Sequence, residues 1–213
     1  MSNVATTDGD RREERAVWLT DRELDRLEAQ AESLRDRLIV NLGARCGLRI
    51  SETVGLTVAD LDEAPVDGEL RYWATVRGKD TRADTDGKKH RKTWVPKDVY
   101  RDLRLQVQQE NLAGDDPLLP SREGGHLAPQ SGRRIVKQLA RAAADATGTE
   151  RFLDVSSHDL RRFWANYLLV EEGVNPRVVM RLGGWEDFQS IKPYLDRPRD
   201  STVADEMETA GWV

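Results

Sequence analysis

The sequence predicts a mainly α-helical protein carrying a small antiparallel β-sheet, an α+β arrangement. Apolar residues recur at helical spacing over most of the chain, while strand character is confined to residues 70–76 and 92–95. Helix start signals also stand ahead of several of the helical runs. A chain of 213 residues that is 38% hydrophobic can bury one sizeable core.

Residues 1–16 are polar and charged and are expected to form a disordered arm ahead of a single domain over 17–213. Thr20, with Glu23 three residues on, forms a capping box, and Leu19 is placed to act as a staple. Leu24, Leu27, Ala31, Leu34, Leu38, Ile39 and Leu42 then recur at helical spacing, as one long helix or two shorter ones, until Gly47 ends the run. A short helix and turn follow. The segments 70–76 and 92–95, joined by a loop rich in Gly, Asp and Lys, suggest a hairpin that Pro96 closes. Further helices are expected over 97–111, 129–146 and 157–172. A short one is led by Asn175 as cap with Pro176 at its first position, and a last one spans 200–209. No fixed-period repeat and no linker divides the chain.

No apolar run approaches the roughly 18 residues that cross a bilayer, and the opening MSNVATTDGDRREER lacks an apolar signal core, so a cytoplasmic protein without membrane contact is expected. Cys46 is the single cysteine, which excludes an internal disulfide and reads as a packed thiol. Lys and Arg total 33 against 38 Asp and Glu, a net charge of −5. That balance argues against a basic coat for nucleic acid, so any DNA surface must be local. The cations are mostly arginine and aspartate is abundant, a pattern that resembles proteins from salt-loving cells.

Three segments stand out in order: GLRISE at 47–52, HDLRR at 158–162 and LGGWEDFQSIKPY at 182–194. With Lys79 in the hairpin, they resemble the active-site motifs of tyrosine recombinases of the phage integrase and Xer family. The family's G-x-R-x-x-E pattern falls on Arg49 and Glu52, its H-x-x-R on His158 and Arg161, and its His-or-Trp position, preceded here by Gly184, on Trp185, nine residues before Tyr194. The resemblance implies the tyrosine recombinase catalytic-domain fold. It also implies a reaction in which Tyr194 attacks a DNA phosphate, leaving a 3′-phosphotyrosyl link and a free 5′-hydroxyl. Lys79 would protonate the leaving oxygen, His158 would assist proton transfer, and Trp185 would pack beside the phosphate. Lys88 and Lys89 are the alternatives to Lys79. No cofactor and no metal are implied, and the sequence has neither metal-ligand spacing nor a Gly-rich phosphate loop.

Independently of the family, a spacing of three on a helix puts Arg49 with Glu52, and His158 with Arg161, on shared faces. Two arginines can clamp the oxygens of a transferring phosphoryl group while staying charged. Glu52 can hold an arginine in place. A phenol with a reference pKa of about 10 needs a neighbour to share its proton, and His158 is the one histidine in a suitable motif. Taken singly each piece is common: an Arg–Glu pair on a helix is usually solvated, and a lone tryptophan is usually core. Their order and separation carry the reading. His90 and His126 are expected at the surface, and Arg45 and Arg162 facing DNA or solvent.

Most family members carry a DNA-clamping domain ahead of the catalytic one, and the resemblance covers residues 20–213 without it. The expected partners are double-stranded DNA, further copies of the chain as a dimer or tetramer on DNA, and an accessory protein. Val203, Met207, Ala210 and Trp212 can form an apolar face on the tail, for which packing on its own domain and docking on a neighbour both stand open. A type IB topoisomerase and a non-cutting DNA-binding regulator are the competing functions.

Overall fold

Caps set the helix starts. The Thr20 hydroxyl accepts from the Glu23 N–H at 3.3 Å while the Glu23 carboxylate accepts from the Thr20 N–H at 2.8 Å, opening α1 (Asp21–Glu28). Ser33 then accepts from the Asp36 N–H at 3.1 Å and starts α2 (Leu34–Ala44), so the long apolar run is two helices. The computed structural model describes residues 16–77, 90–195 and 200–212, so all of the expected arm except Ala16 lies outside the described residues.

From Leu38 to Ala44 every residue of α2 is buried, and this helix forms the centre of the molecule, touching α3 (Ile50–Thr53), α4 (Lys97–Gln109), α5 (Pro129–Thr147) and α6 (Ser157–Asn166). The expected hairpin is present as β2 (Glu69–Arg77) and β3 (His90–Trp94), paired antiparallel with Trp73 opposite Trp94 and Arg77 opposite His90. A third strand, β1 (Leu61–Val66), was not expected, because Pro65 weakens its strand signal. It lies at the edge of the sheet, a position in which a strand tolerates proline. The turn between β1 and β2 uses Asp67 and Gly68, both at positive φ (52° and 82°), the pairing that fits the twist of a tight hairpin.

α6 ends earlier than its apolar stripe predicts. Its last turn widens into a π-helical stretch, Tyr167–Glu171, before α7 (Pro176–Gly183), where the Asn175 side chain accepts from the Arg177 N–H at 2.9 Å. Two single 3-10 turns, Phe188–Ser190 and Lys192–Tyr194, carry the chain onward, and α8 (Asp200–Thr209) closes it. The fold is mainly α with a small antiparallel sheet, as the sequence predicts, and that sheet has three strands where the sequence showed two.

Burial divides into two clusters. The larger contains α2, the inner faces of α1, α4 and α5, and the sheet residues Ala74 and Val76. The smaller gathers Trp164, Ala165, Val179, Ile191 and Tyr194. α6 is their common wall, giving Leu160 and Phe163 to one and Trp164 and Ala165 to the other.

Cys46 is fully buried and burial pushes its thiol far up, which makes it a packed side chain, and His90 and His126 are exposed. Arg45 and Arg162 do not simply face solvent: Arg45 pairs with Glu28 at 3.1 Å, and Arg162 pairs with Asp159 one turn back on α6. Among the described residues no helix is long and apolar enough to cross a membrane.

Gly47 sits at φ +69°, and a Cβ there would lie 2.4 Å from the Trp164 ring. Gly47→Ala is therefore expected to cost roughly 2–4 kcal/mol, from left-handed strain plus overpacking, read as a lower urea midpoint with an unchanged slope.

Candidate active site

The site is built around Glu52. Arg49 stands at the start of α3, and its N–H and guanidinium both reach back to that carboxylate, at 2.7 Å to Oε2 and 3.0 Å to Oε1. Arg91 on β3 adds a two-pronged pair to the same carboxylate, Nη1 to Oε1 at 2.8 Å and Nη2 to Oε2 at 2.9 Å. The Arg161 guanidinium approaches from α6, with Nη1 3.8 Å from Oε2.

α6 begins where Asp159 accepts the Ser156 N–H at 2.8 Å, so the first turn presents His158 while Arg161 follows one turn later. His158 is exposed, whereas Arg161 is only 1% exposed. Arg161 donates to the Gly47 carbonyl at 2.6 Å and the Gly183 carbonyl at 2.7 Å, stapling the turn before α3 to the end of α7. Trp185 lies over its guanidinium, 4.2 Å from centroid to carbon, and stacks on Trp164 with centroids 5.9 Å apart. This approach needs Gly183, where a Cβ would fall 2.2 Å from the Trp185 ring. Tyr194 is 8% exposed and packs against Trp185 at 5.6 Å. Trp18 meets the Tyr194 ring in a T-shaped arrangement with centroids 6.0 Å apart.

Electrostatically, three guanidinium groups share one carboxylate. Burial alone would raise the Glu52 carboxyl, but the hydrogen bonds and charge of Arg91, with the Arg49 N–H, outweigh it and hold the group below its ordinary value. Burial pushes Arg161 down to about 9, the Arg49 charge acting in the same direction, and it stays protonated at neutral pH. Burial and the charges of Arg162 and Arg161 lower His158, so its imidazole is neutral at pH 7 and able to accept a proton. Arg49, its side chain 45% exposed, opens onto a cleft of about 680 Å³ that Arg77, His90, Arg91 and Arg181 also line. The arrangement suits an anion with dispersed negative charge next to a phenol.

Residues 17–199 match the phage integrase family. The chain belongs to this family. It is 34% identical over 172 residues to the tyrosine recombinase XerC of Chromobacterium violaceum, covering 80% of this chain and 51% of that protein. It thus spans about half the length of the curated relatives it matches. Its fold is that of tyrosine recombinase catalytic domains. It superposes on the crystal structure of XerA recombinase with a TM-score of 0.69 at 20% identity, covering 91% of this chain and 63% of that one. The XerH recombinase in its post-cleavage complex with a palindromic difH substrate gives 0.68 at 16% identity, over 90% of this chain and 53% of that one.

Of the family motifs read in the sequence, Arg49, Glu52, Arg161, Trp185 and Tyr194 form one contiguous group, and His158 sits at its rim within reach of the arginine charges. Lys79 and its alternatives Lys88 and Lys89 lie outside the described residues. Two members of the group carried no motif: Arg91 and Trp18. For Arg91 a signal existed, since period-two alternation puts it on the same face as the fully buried Thr93, an unusual place for an arginine without a partner.

Arg91→Ala leaves Glu52 buried with its main partner gone and is expected to cost roughly 2–4 kcal/mol at neutral pH. Because the Glu52 carboxyl is depressed in the folded protein, its contribution is present above pH 4.5 and fades as pH falls below it. Urea unfolding of both proteins should therefore show a gap at pH 7 that narrows at pH 4 and below.

Proposed function

We propose that the protein is a site-specific DNA recombinase of the integrase type, which cuts and rejoins strands through a 3′-phosphotyrosyl intermediate formed on Tyr194. The observation that carries this reading is the continuous contact from Glu52 through Arg49 and Arg161 to Trp185 and Tyr194, which sets a phenol beside an excess of buried positive charge. DNA is the proposed partner, in keeping with the XerH relative bound to its difH substrate.

In this mechanism the scissile phosphate enters at the exposed Arg49 and is clamped by Arg49 and Arg161, whose guanidinium groups neutralise the oxygens as charge builds on them. The Tyr194 oxygen attacks phosphorus as its proton passes to the neutral His158, and the bond to the 5′-oxygen breaks. Lys79 supplies the proton to that leaving oxygen. Trp185, already on the Arg161 guanidinium, flanks the phosphate. Rejoining runs the same steps backwards with a 5′-hydroxyl from another strand. The phosphotyrosyl bond stores the energy for this second step, so side chains alone suffice.

The proposal extends to assembly as a dimer or tetramer on DNA, the tail of one copy docking on the next. Val203, Met207 and Trp212 are 46%, 41% and 78% exposed, an apolar face without cover. An apolar groove of about 780 Å³, lined by Trp73, Trp94, Phe163, Leu168 and Leu182 among others, is a receptor of suitable chemistry. The proposed setting is a salt-rich cytoplasm, supported by the acidic, arginine-rich composition, with an accessory protein aiding site choice.

A library of nicked duplexes randomised around the nick tests the chemistry. The wild type should form an adduct that survives denaturant and maps to Tyr194, and Tyr194→Phe should abolish it while DNA affinity stays within about twofold. The rate of adduct formation should be level near neutral pH and fall below pH 6.5 as His158 takes up a proton. An adduct on another residue sinks the assignment, and relaxation of supercoiled plasmid without strand exchange would point to a topoisomerase. For the assembly, Met207→Asp with Trp212→Ala should remove multi-copy complexes on DNA in sedimentation while leaving single-copy binding in place.

A further inference from the structure

Tyr194 has no regular scaffold. It ends one 3-10 turn, and the turn before it leaves Phe188 53% exposed, so in residues 188–195 only Ile191 and Tyr194 are buried. Backbone hydrogen bonds of a long helix therefore do not set the direction of the phenol. Packing does: beside the aliphatic groups of its cluster, the Tyr194 ring meets two aromatic rings among the described residues, Trp185 at 5.6 Å and an interplanar angle of 51°, and Trp18 at 6.0 Å and 73°.

Each of these two indoles is tied to α6, by a different residue. Trp185 rests on the Arg161 guanidinium. Trp18 belongs to the segment ahead of α1, which is fastened beside α6: the Val17 N–H donates to Asp159 Oδ1 at 3.0 Å, and Asp159 lies between His158 and Arg161 in the chain. Arg151 donates to the Trp18 carbonyl and, through Nη1, to Glu23 Oε1 at 2.8 Å. Val17 and Leu19 on either side are buried, at 5% and 7% exposure, while Trp18 itself is 39% exposed. An indole so anchored by its neighbours, yet left at the surface, adds little to the core. What it does is meet the Tyr194 ring in a T-shaped arrangement, a geometry that favours one ring orientation over others.

We propose that Trp18 is a positioning residue for the reaction: held in register with the His158–Arg161 helix through Val17 and Asp159, it fixes the Tyr194 ring against Trp185 and so aims the phenol at the clamped phosphate. The inference rests on Tyr194 being the nucleophile. It adds a residue outside the three motifs, on the opposite end of the chain.

The test uses the full chain with the nicked-duplex library and, separately, tetranitromethane as a probe of phenol exposure in the DNA-free protein. Trp18→Ala should slow single-turnover adduct formation roughly tenfold, the scale of one lost aromatic pair, while DNA affinity stays within about twofold. Trp18→Leu, which keeps apolar bulk without a ring, should be slowed similarly, and Trp18→Phe should restore most of the rate. Nitration mapped to Tyr194 should rise in Trp18→Ala and Trp18→Leu and stay low in Trp18→Phe. Unchanged rates in a folded Trp18→Ala or Trp18→Leu chain overturn the inference, as does a faster rate, which would make Trp18 a shield, or an equal loss in affinity and rate. A wild type that forms no adduct overturns the nucleophile assignment and this inference with it, whereas equal reaction of wild type and variant overturns this inference alone.

Discussion

A single buried carboxylate makes the rest possible. Three guanidinium groups a few ångströms apart repel one another, each close pair by about 4 kcal/mol at 4 Å in a partly screened environment. Glu52 offsets that repulsion by accepting from the Arg49 N–H and guanidinium and from both prongs of Arg91, with Arg161 within ion-pair distance. One negative charge against three positive leaves a local excess, in a chain whose net charge is −5. An acidic whole is thus compatible with a local excess of positive charge: Arg91 and Arg161, 15% and 1% exposed, are the members of the group that salt screens least.

The fold delivers those groups from separate parts of the chain by stapling backbone to side chain. Arg161, at 1% exposure, spends two donors on the Gly47 and Gly183 carbonyls and thereby fixes the turn before α3 and the end of α7 in one place. Both glycines admit an indole where a Cβ would clash, Trp164 at Gly47 and Trp185 at Gly183. In this way the GLRISE and LGGW segments owe their glycines to the aromatic wall beside the site. α6 serves both clusters at once, so its stiffness is passed to His158 and Arg161 together.

Much of this was legible in the sequence because it depends on local rules. The caps at Thr20 and Asn175 follow from side-chain chemistry within one turn, as does the contact of Arg49, the cap of α3, with Glu52, while His158 and Arg161 share α6 but differ in burial, one exposed and the other 1% exposed. The hairpin 69–94 was visible in its β-branched and aromatic run, but β1 was hidden by Pro65, which only an edge position tolerates. The π-helical stretch after Asn166 also escaped, since the apolar stripe continues through it. Arg91 and Trp18 were missed for a different reason: their partners lie 39 and 176 residues away in the chain, so strand alternation could mark Arg91 as facing inward without naming Glu52, and no local signal marked Trp18.

In the proposed reaction Arg49 and Arg161 converge on one phosphate in line with the Tyr194 oxygen. A crystal structure of the protein with nicked DNA and orthovanadate, which mimics a five-coordinate phosphoryl transition state, tests it directly. Vanadium should be bonded to Tyr194 Oη, with guanidinium nitrogens of Arg49 and Arg161 on its equatorial oxygens and Glu52 still between them. Vanadate bound to another side chain, or Arg161 making no contact with it, would rule out that convergence.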